Sequence, residues 1–162
     1  MRLVVLFFLL VVAACQTPPT EMTEAEIAQI EAEVLEAMEG VFEGWRELDL
    51  EKAIAPFHPT ATSWALPYAP QTYSEIREWT ANWLEDLESW EGTILNVTVR
   101  VLSRDAAAFQ MGYECTITPK DGPVMHYPGN AVWTGVMERT DSGWKTTLGG
   151  GSFGPYEVID EA

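Results

Sequence analysis

Gly92-Thr93-Ile94-Leu95-Asn96-Val97-Thr98-Val99-Arg100-Val101-Leu102 decides the fold, because here the apolar period drops from three or four residues to two. Leu95, Val97, Val99 and Val101 alternate with Asn96, Thr98 and Arg100, which predicts a half-buried strand over 93–102 that turns at Ser103-Arg104-Asp105. Toward the C-terminus the same reading gives a second strand over 106–118, with Asp121-Gly122 as a hairpin signal. A third strand follows over 125–139, then a turn at Asp141-Ser142-Gly143 and a fourth strand over 144–153. Strands joined by turns this tight must run antiparallel. Residues 60–66 add a short edge strand.

Upstream of Gly92 the pattern is helical. Thr23-Glu24-Ala25-Glu26 fits a capping box, and Ile27, Ile30, Val34, Met38, Val41 and Trp45 follow at helical spacing with glutamates opposite. Asp49 opens a short helix carrying Leu50 and Ile54, which Pro56 ends. Thr72-Tyr73-Ser74-Glu75 opens a third, predicted to place Ile76, Trp79, Trp83, Leu87 and Trp90 on one face and to stop near Gly92. Helices first and a strand meander last is an α+β plan, three N-terminal helices covering one face of a curved antiparallel sheet of four to six strands.

The N-terminus has a different character. Met1-Arg2 precedes an unbroken apolar run from Leu3 to Ala14, too short for a helix that crosses a bilayer, which takes roughly 20 residues. A positive start, a short apolar core and small residues before a cut are the layout of a secretory signal. Val12-Ala13-Ala14-Cys15 resembles the lipobox of bacterial lipoproteins, and that resemblance implies lipid on Cys15 and a cell-envelope location. Gln16 after the cysteine implies sorting to an outer membrane, facing the periplasm, in a Gram-negative host. An ordinary signal cleaved after Ala14, leaving Cys15 as a free thiol, is the alternative. The expected organisation is a signal peptide over 1–14, a proline-bearing tether over 15–22, one domain over 23–155 and an acidic tail over 156–162.

Lys and Arg number 9 against 25 Asp and Glu, a net charge of −16, which argues against nucleic acid or anionic lipid as a partner. Contact with a membrane would run through the lipid anchor alone. With Cys15 lipidated, Cys115 has no partner, so the domain relies on packing rather than a disulfide. The chain has no P-loop and no H-E-x-x-H. Its two histidines, His58 and His126, lie in distant segments without the close spacing of zinc ligands, so no metal and no cofactor is expected.

Three helices and a meander that closes through Val136-Met137-Glu138-Arg139-Thr140-Asp141-Ser142-Gly143-Trp144-Lys145, with Ser152 near the end, resemble the nuclear transport factor 2-like superfamily, which includes SnoaL-like and ketosteroid isomerase-like proteins. The resemblance implies a cone-shaped sheet whose cavity, under the helices, holds a small ligand or an active site. It also implies that copies can pair through the open sheet face, so a homodimeric interaction module is one reading. Many SnoaL-like members carry a histidine two residues before that serine; here the position is Gly150, within Gly149-Gly150-Gly151. Such a run marks a bulge at a sheet edge or a place where another backbone or a ligand comes close.

Isomerase or cyclase chemistry of this superfamily needs a carboxylate or imidazole in a dry pocket and a donor facing the oxyanion. Glu114 is the candidate base and Tyr113 the candidate donor, although Glu114 points outward if Phe109, Met111, Tyr113 and Cys115 face the cavity. His58, in Pro56-Phe57-His58-Pro59 at the end of the second helix, is either a cavity-mouth residue or a histidine held there by the helix dipole. His126, near a hairpin tip, reads as exposed. Seven tryptophans are many for one domain, and Trp64, Trp79, Trp83 and Trp133 lie on elements that wall the cavity in this superfamily. Trp45 and Trp144 are assigned to the core. The expected ligand residues are therefore His58, Trp64, Trp79, Trp83, Tyr113 and Trp133, and the expected function is binding of a small, partly apolar or aromatic molecule rather than catalysis.

Overall fold

A computed structural model describes residues 21–65 and 71–159, with the side chains of Trp64 and Ala65 left out. The signal segment, Cys15 and most of the tether lie outside the described residues. Three helices form first or early: α1 (Glu24–Arg46), α2 (Leu50–Ile54) and, after strands β1 (Phe57–Ala65) and β2 (Gln71–Thr72), α3 (Tyr73–Glu85). The rest is β3 (Leu87–Ser103), β4 (Ala106–Pro119), β5 (Val124–Thr140), β6 (Gly143–Ser152) and β7 (Glu157–Ile159).

Local chemistry sets these boundaries. Thr23 caps α1 as a full box, its hydroxyl accepting from the Glu26 amide at 3.2 Å while the Glu26 carboxylate accepts from the Thr23 amide at 2.7 Å. The same exchange opens α3, where the Thr72 amide donates to Glu75 at 2.7 Å. Leu48 turns the chain out of α1 with a left-handed φ of 51°. The α1 and α2 backbones then come so close at Gly44 that an added Cβ would lie 2.2 Å from the Ala53 nitrogen. Only glycine permits that crossing.

The sheet order is β2-β1-β6-β5-β4-β3, with β7 pairing the start of β5. Six strands were the upper end of the sequence expectation; the described residues form seven, and the sheet is mixed because β1 runs parallel to β6. The segment expected at an edge instead sits between β2 and β6, since the helical connection lets it return in the same direction as the last long strand. α3 ends at Glu85 rather than near Gly92. Leu87 and Trp90 already belong to β3, where they pair with Pro119 and Ile117. Their spacing from Trp83 fits a helix period as well as it fits a strand interrupted by a bulge, which is why the sequence misplaces them.

Ladder irregularities between Ile94 and Asn96, between Tyr113 and Cys115 and between Val136 and Met137 bend the three long strands and curl the sheet into a cone. The helices cover its concave face. Ile30, Val34, Met38, Val41 and Phe42 of α1 pack on Phe109, Met111, Cys115 and Ile117 of β4, Met137 of β5 and Trp144 of β6. Burying each such side chain contributes about 1.5–3 kcal/mol. Polar ties fix the first half of α1 to the last hairpin. The Trp144 indole N–H donates to Glu33 at 2.9 Å, the Arg139 guanidinium pairs with the same carboxylate at 2.7 Å, and its carbon lies 4.8 Å from the Trp144 ring centre. Trp144 is thus a core residue, as the sequence reading has it.

Candidate functional site

The C-terminal half of α1 joins the core through Val41 and Phe42 but also borders empty space. Between Val41, Phe42 and Trp45 of α1, Ile76, Trp79, Thr80 and Trp83 of α3, and the inner face of the sheet lies a cavity of about 140 Å³. The sheet supplies Phe57 and Ser63 from β1, Gln71 from β2, Trp90, Met111, Tyr113 and Trp133 from the long strands, and Gly151 and Ser152 from β6, with Phe153 just beyond.

The walls are aromatic rings that brace one another. Trp79 and Trp83, one helical turn apart on α3, stack with centroids 5.5 Å apart and planes at 15°. Trp45 meets Trp83 at 5.1 Å and 72°, and Trp90 at 6.0 Å. Phe42 stands edge-on to both Trp90 and Tyr113, at 5.2 and 5.3 Å. On the opposite wall Trp133 stacks on Phe57 at 5.7 Å and 28° and takes Phe109 edge-on at 5.1 Å. Such pairs add about 0.5–1.5 kcal/mol each beyond their buried area, so these walls hold their shape without a ligand.

The polar groups on this surface are few and uncharged. Ser63 and Gln71 are direct cross-strand partners on β1 and β2. Tyr113 reaches in from β4; burial, with smaller effects from Cys115 and Tyr127, holds its phenol well above the usual ionisation range. It stays a neutral hydroxyl at any physiological pH. Among the described residues no hydrogen bond reaches the side chains of Ser63, Gln71, Tyr113 or Ser152. Among them, too, no Asp, Glu, His, Lys or Arg lines the cavity.

The residues singled out by sequence divide accordingly. Trp79, Trp83, Tyr113 and Trp133 come together around the cavity. The side chain of Trp64 lies outside the described residues, though its backbone pairs with Gly150. His58 is not at the end of α2 but the second residue of β1, facing away from Phe57 and the cavity; its Nδ1 lies 2.7 Å from the Thr60 hydroxyl, two residues on along the same face. Glu114 also misses the cavity. Phe109, Met111 and Cys115 are buried inward and Tyr113 lines the cavity, so alternation turns Glu114 to the outer face, where it lines a shallow groove with Arg46, Glu91 and His126. His126 is half-buried rather than exposed, because β7 flanks its strand on one side and Thr116, 3.1 Å from its Nδ1, on the other. Cys115 is a buried thiol pushed up to about 12 by burial, which makes it unreactive while the fold is intact.

Trp45 corrects another expectation, since it walls the cavity instead of filling the core. Trp90, Phe42, Phe57 and Phe153 were missed as wall residues. The helical spacing of Phe42 and Trp45 with Val41 could have shown that they share a face, but not that this face borders a void. The glycine run is not at an edge. Gly149 and Gly150 pair with both β1 and β5, and the bulge lies earlier, where Thr147 has no partner opposite the Val136–Met137 step. What the glycines do is admit Trp133, whose indole nitrogen would lie 3.1 Å from a Cβ on Gly149. Gly150-Gly151-Ser152-Phe153-Gly154 also has the G-x-S-x-G spacing of a nucleophile elbow. Here it ends an antiparallel strand rather than bridging a strand to a helix, and no imidazole accompanies Ser152 in the lining of described residues.

The sequence matches the family model of the SnoaL-like domain over residues 34–156. The chain belongs to the SnoaL-like domain family. Among solved structures it is similar to a hexachlorocyclohexane dehydrochlorinase from Novosphingobium barchaimii, with a TM-score of 0.70 and 13% identity, covering 85% of this chain and 94% of that one. It is likewise similar to a nuclear transport factor 2-like superfamily protein from Salmonella enterica, with a TM-score of 0.70 and 14% identity over 84% and 99% of the two chains. A conserved protein from Planctomyces limnophilus gives 0.65 and 14% over 77% and 96%. At these identities the likeness shows the shared cone fold. No curated protein matches the chain in sequence. Among the described residues no cluster of His, Cys, Asp or Glu could hold a metal ion, and no helix is long and apolar enough to cross a membrane.

Proposed function

We propose that this SnoaL-like domain is a binding module that holds a small, partly apolar or aromatic molecule in its cavity, and that lipid on Cys15 keeps it at a membrane surface of the cell envelope. The observation that carries the binding reading is the lining itself: braced indole and phenyl rings around a preformed void, with a few unpaired neutral polar groups. The alternative, an isomerase or cyclase, would need a proton acceptor at the reacting atom. Glu114 and His58 face elsewhere, and Tyr113 is a poor base when its phenolate is so disfavoured.

Native mass spectrometry of the protein extracted from its host membranes tests binding. The expected spectrum shows a retained small molecule that is lost in Trp83→Ala; a bare protein mass in the wild type, with no ligand recovered from the extract, would count against it. Anchoring is tested by Cys15→Ala, which should move the protein from the membrane to the soluble fraction. A second reading, pairing of two copies through the outer sheet face, draws on exposed Val132 and Leu148 on neighbouring strands β5 and β6. Sedimentation at high concentration decides it, with Leu148→Glu expected to abolish any dimer.

A further inference from the structure

We infer that the occupant of the cavity is an uncharged, single-ring aromatic molecule with one hydrogen-bonding group that meets the Tyr113 hydroxyl. This rests on the binding reading above and narrows it by size, charge and polarity.

Size follows from the void of about 140 Å³. An engineered apolar cavity of about 150 Å³ in another protein takes up one benzene, so one ring with a small substituent fills this space. A fused polycycle would leave its second ring outside the void or push apart walls that are braced ring against ring.

Charge follows from the lining. With no Lys, Arg, His, Asp or Glu among the described lining residues, an ion entering the cavity sheds its water and gains no counter-charge. An anion must also approach a chain of net charge −16. For a cation the indole faces are the natural counter-surface. Here Trp79 and Trp83 cover one face of each other in their stack, which reduces what they can offer.

Polarity follows from Tyr113. Its ring is clamped edge-on by Phe42 at 5.3 Å and Phe153 at 6.1 Å, so the hydroxyl has a fixed direction. It is mostly buried, neutral, and without a hydrogen bond to any described residue. A hydroxyl on the cavity wall that no described residue engages is available to a ligand oxygen or N–H.

Isothermal titration calorimetry of the full chain with phenol, toluene, benzoate and phenyltrimethylammonium tests the inference. Phenol should bind most tightly, toluene about fivefold more weakly for lack of the hydrogen bond, and both ions roughly a hundredfold or more below phenol. Tyr113→Phe should reverse the order, with phenol falling below toluene because its hydroxyl then enters the cavity without a partner. Benzoate or phenyltrimethylammonium binding as tightly as phenol would overturn the inference and leave a binding cavity of another selectivity. Equal wild-type affinities for phenol and toluene would overturn the Tyr113 assignment without any variant. Binding of none of the four, beside a ligand retained in the native mass spectrum, would overturn the single-ring class alone; with no retained ligand either, the binding reading itself falls.

Discussion

The two halves of α1 face the same sheet with opposite results. Ile30, Val34 and Met38 lie fully in the buried core with Met137 and Trp144, sealed by the bond of Trp144 to Glu33. Over Val41, Phe42 and Trp45 the helix meets other large side chains and leaves a void. Composition does not separate the halves, since both are apolar and both use tryptophan. What differs is the kind of side chain that meets there: flexible Met38 and Met137 adapt to fill gaps, while indoles locked in pairs leave one. Rings that brace one another make a wall, and methionines make a filling.

The sharpest way to break this comparison is to truncate one residue from each half. Met38 is fully buried, and Met38→Ala should cost about 2–5 kcal/mol, read from urea unfolding. Trp45→Ala removes a larger side chain that already borders empty space, so its lost contacts are fewer for its size and its cost should be roughly half as much. Equal or reversed costs would mean that the cavity end is as tightly packed as the other.

Gly135 comes next. It faces inward on β5, and a Cβ there would lie 2.6 Å from the Leu148 carbonyl oxygen and 2.8 Å from the Phe109 ring. Neither neighbour has room to retreat, so Gly135→Ala should destabilise by about 1–3 kcal/mol through overpacking. A thermal shift of only a degree or so would show the sheet to be softer there than its ladder implies.

Trp144→Phe probes the seal by removing the N–H along with part of the buried ring. The bond's share of the loss should be about 1–2 kcal/mol at neutral pH, since the bond is to a charged, half-exposed acceptor, and the lost volume adds a part that does not depend on pH. Glu33 is held below the ordinary carboxylate range first by this bond, then by Gln29, with Arg139 adding to it against the cost of burial. A carboxylate with a lowered pKa in the fold stabilises fully above its unfolded value of about 4.3 and loses that contribution as pH falls through the folded value. The gap between the stability curves of wild type and Trp144→Phe should therefore be widest above that pH and narrow to a constant offset below it. Parallel curves would remove the indole bond as the cause.

The sequence displayed the packed half more fully than the open half. The heptad-like run from Ile27 to Trp45, the capping threonines and the alternation after Gly92 are local signals, and each lies where a helix or strand begins or continues. The aromatic wall is not local. Trp79, Trp83, Tyr113 and Trp133 were found because their elements were placed correctly, whereas Trp90 and Phe57 were missed because a bulge and an early strand start shifted their elements. Glu114 follows the outward alternative that alternation already offered, since Phe109, Met111 and Cys115 are buried and Tyr113 lines the cavity, whereas His58, read from sequence as a helix-end residue, lies in β1. Parallel pairing of β1 with β6 had no local signature at all.

The smallest expected effect is also the most selective. Gly149 lies directly across from Gly135 in the β5–β6 ladder, and both face inward, yet their surroundings differ. A Cβ on Gly149 would first meet the Trp133 indole nitrogen at 3.1 Å and the Thr146 methyl at 3.3 Å, contacts a few tenths of an ångström too close. The Gly149 Cβ would meet a side-chain edge that need give only a few tenths of an ångström toward the void, whereas at Gly135 the nearest atom is the Leu148 backbone oxygen at 2.6 Å. Gly149→Ala should thus cost under about 1 kcal/mol, while the displaced ring takes up space a ligand would use. The variant is expected to melt within a few degrees of wild type and to bind phenol several-fold more weakly. If instead Gly149→Ala is as destabilising as Gly135→Ala, Trp133 is as immobile as the packed core, and the contrast between wall and filling ends at β5.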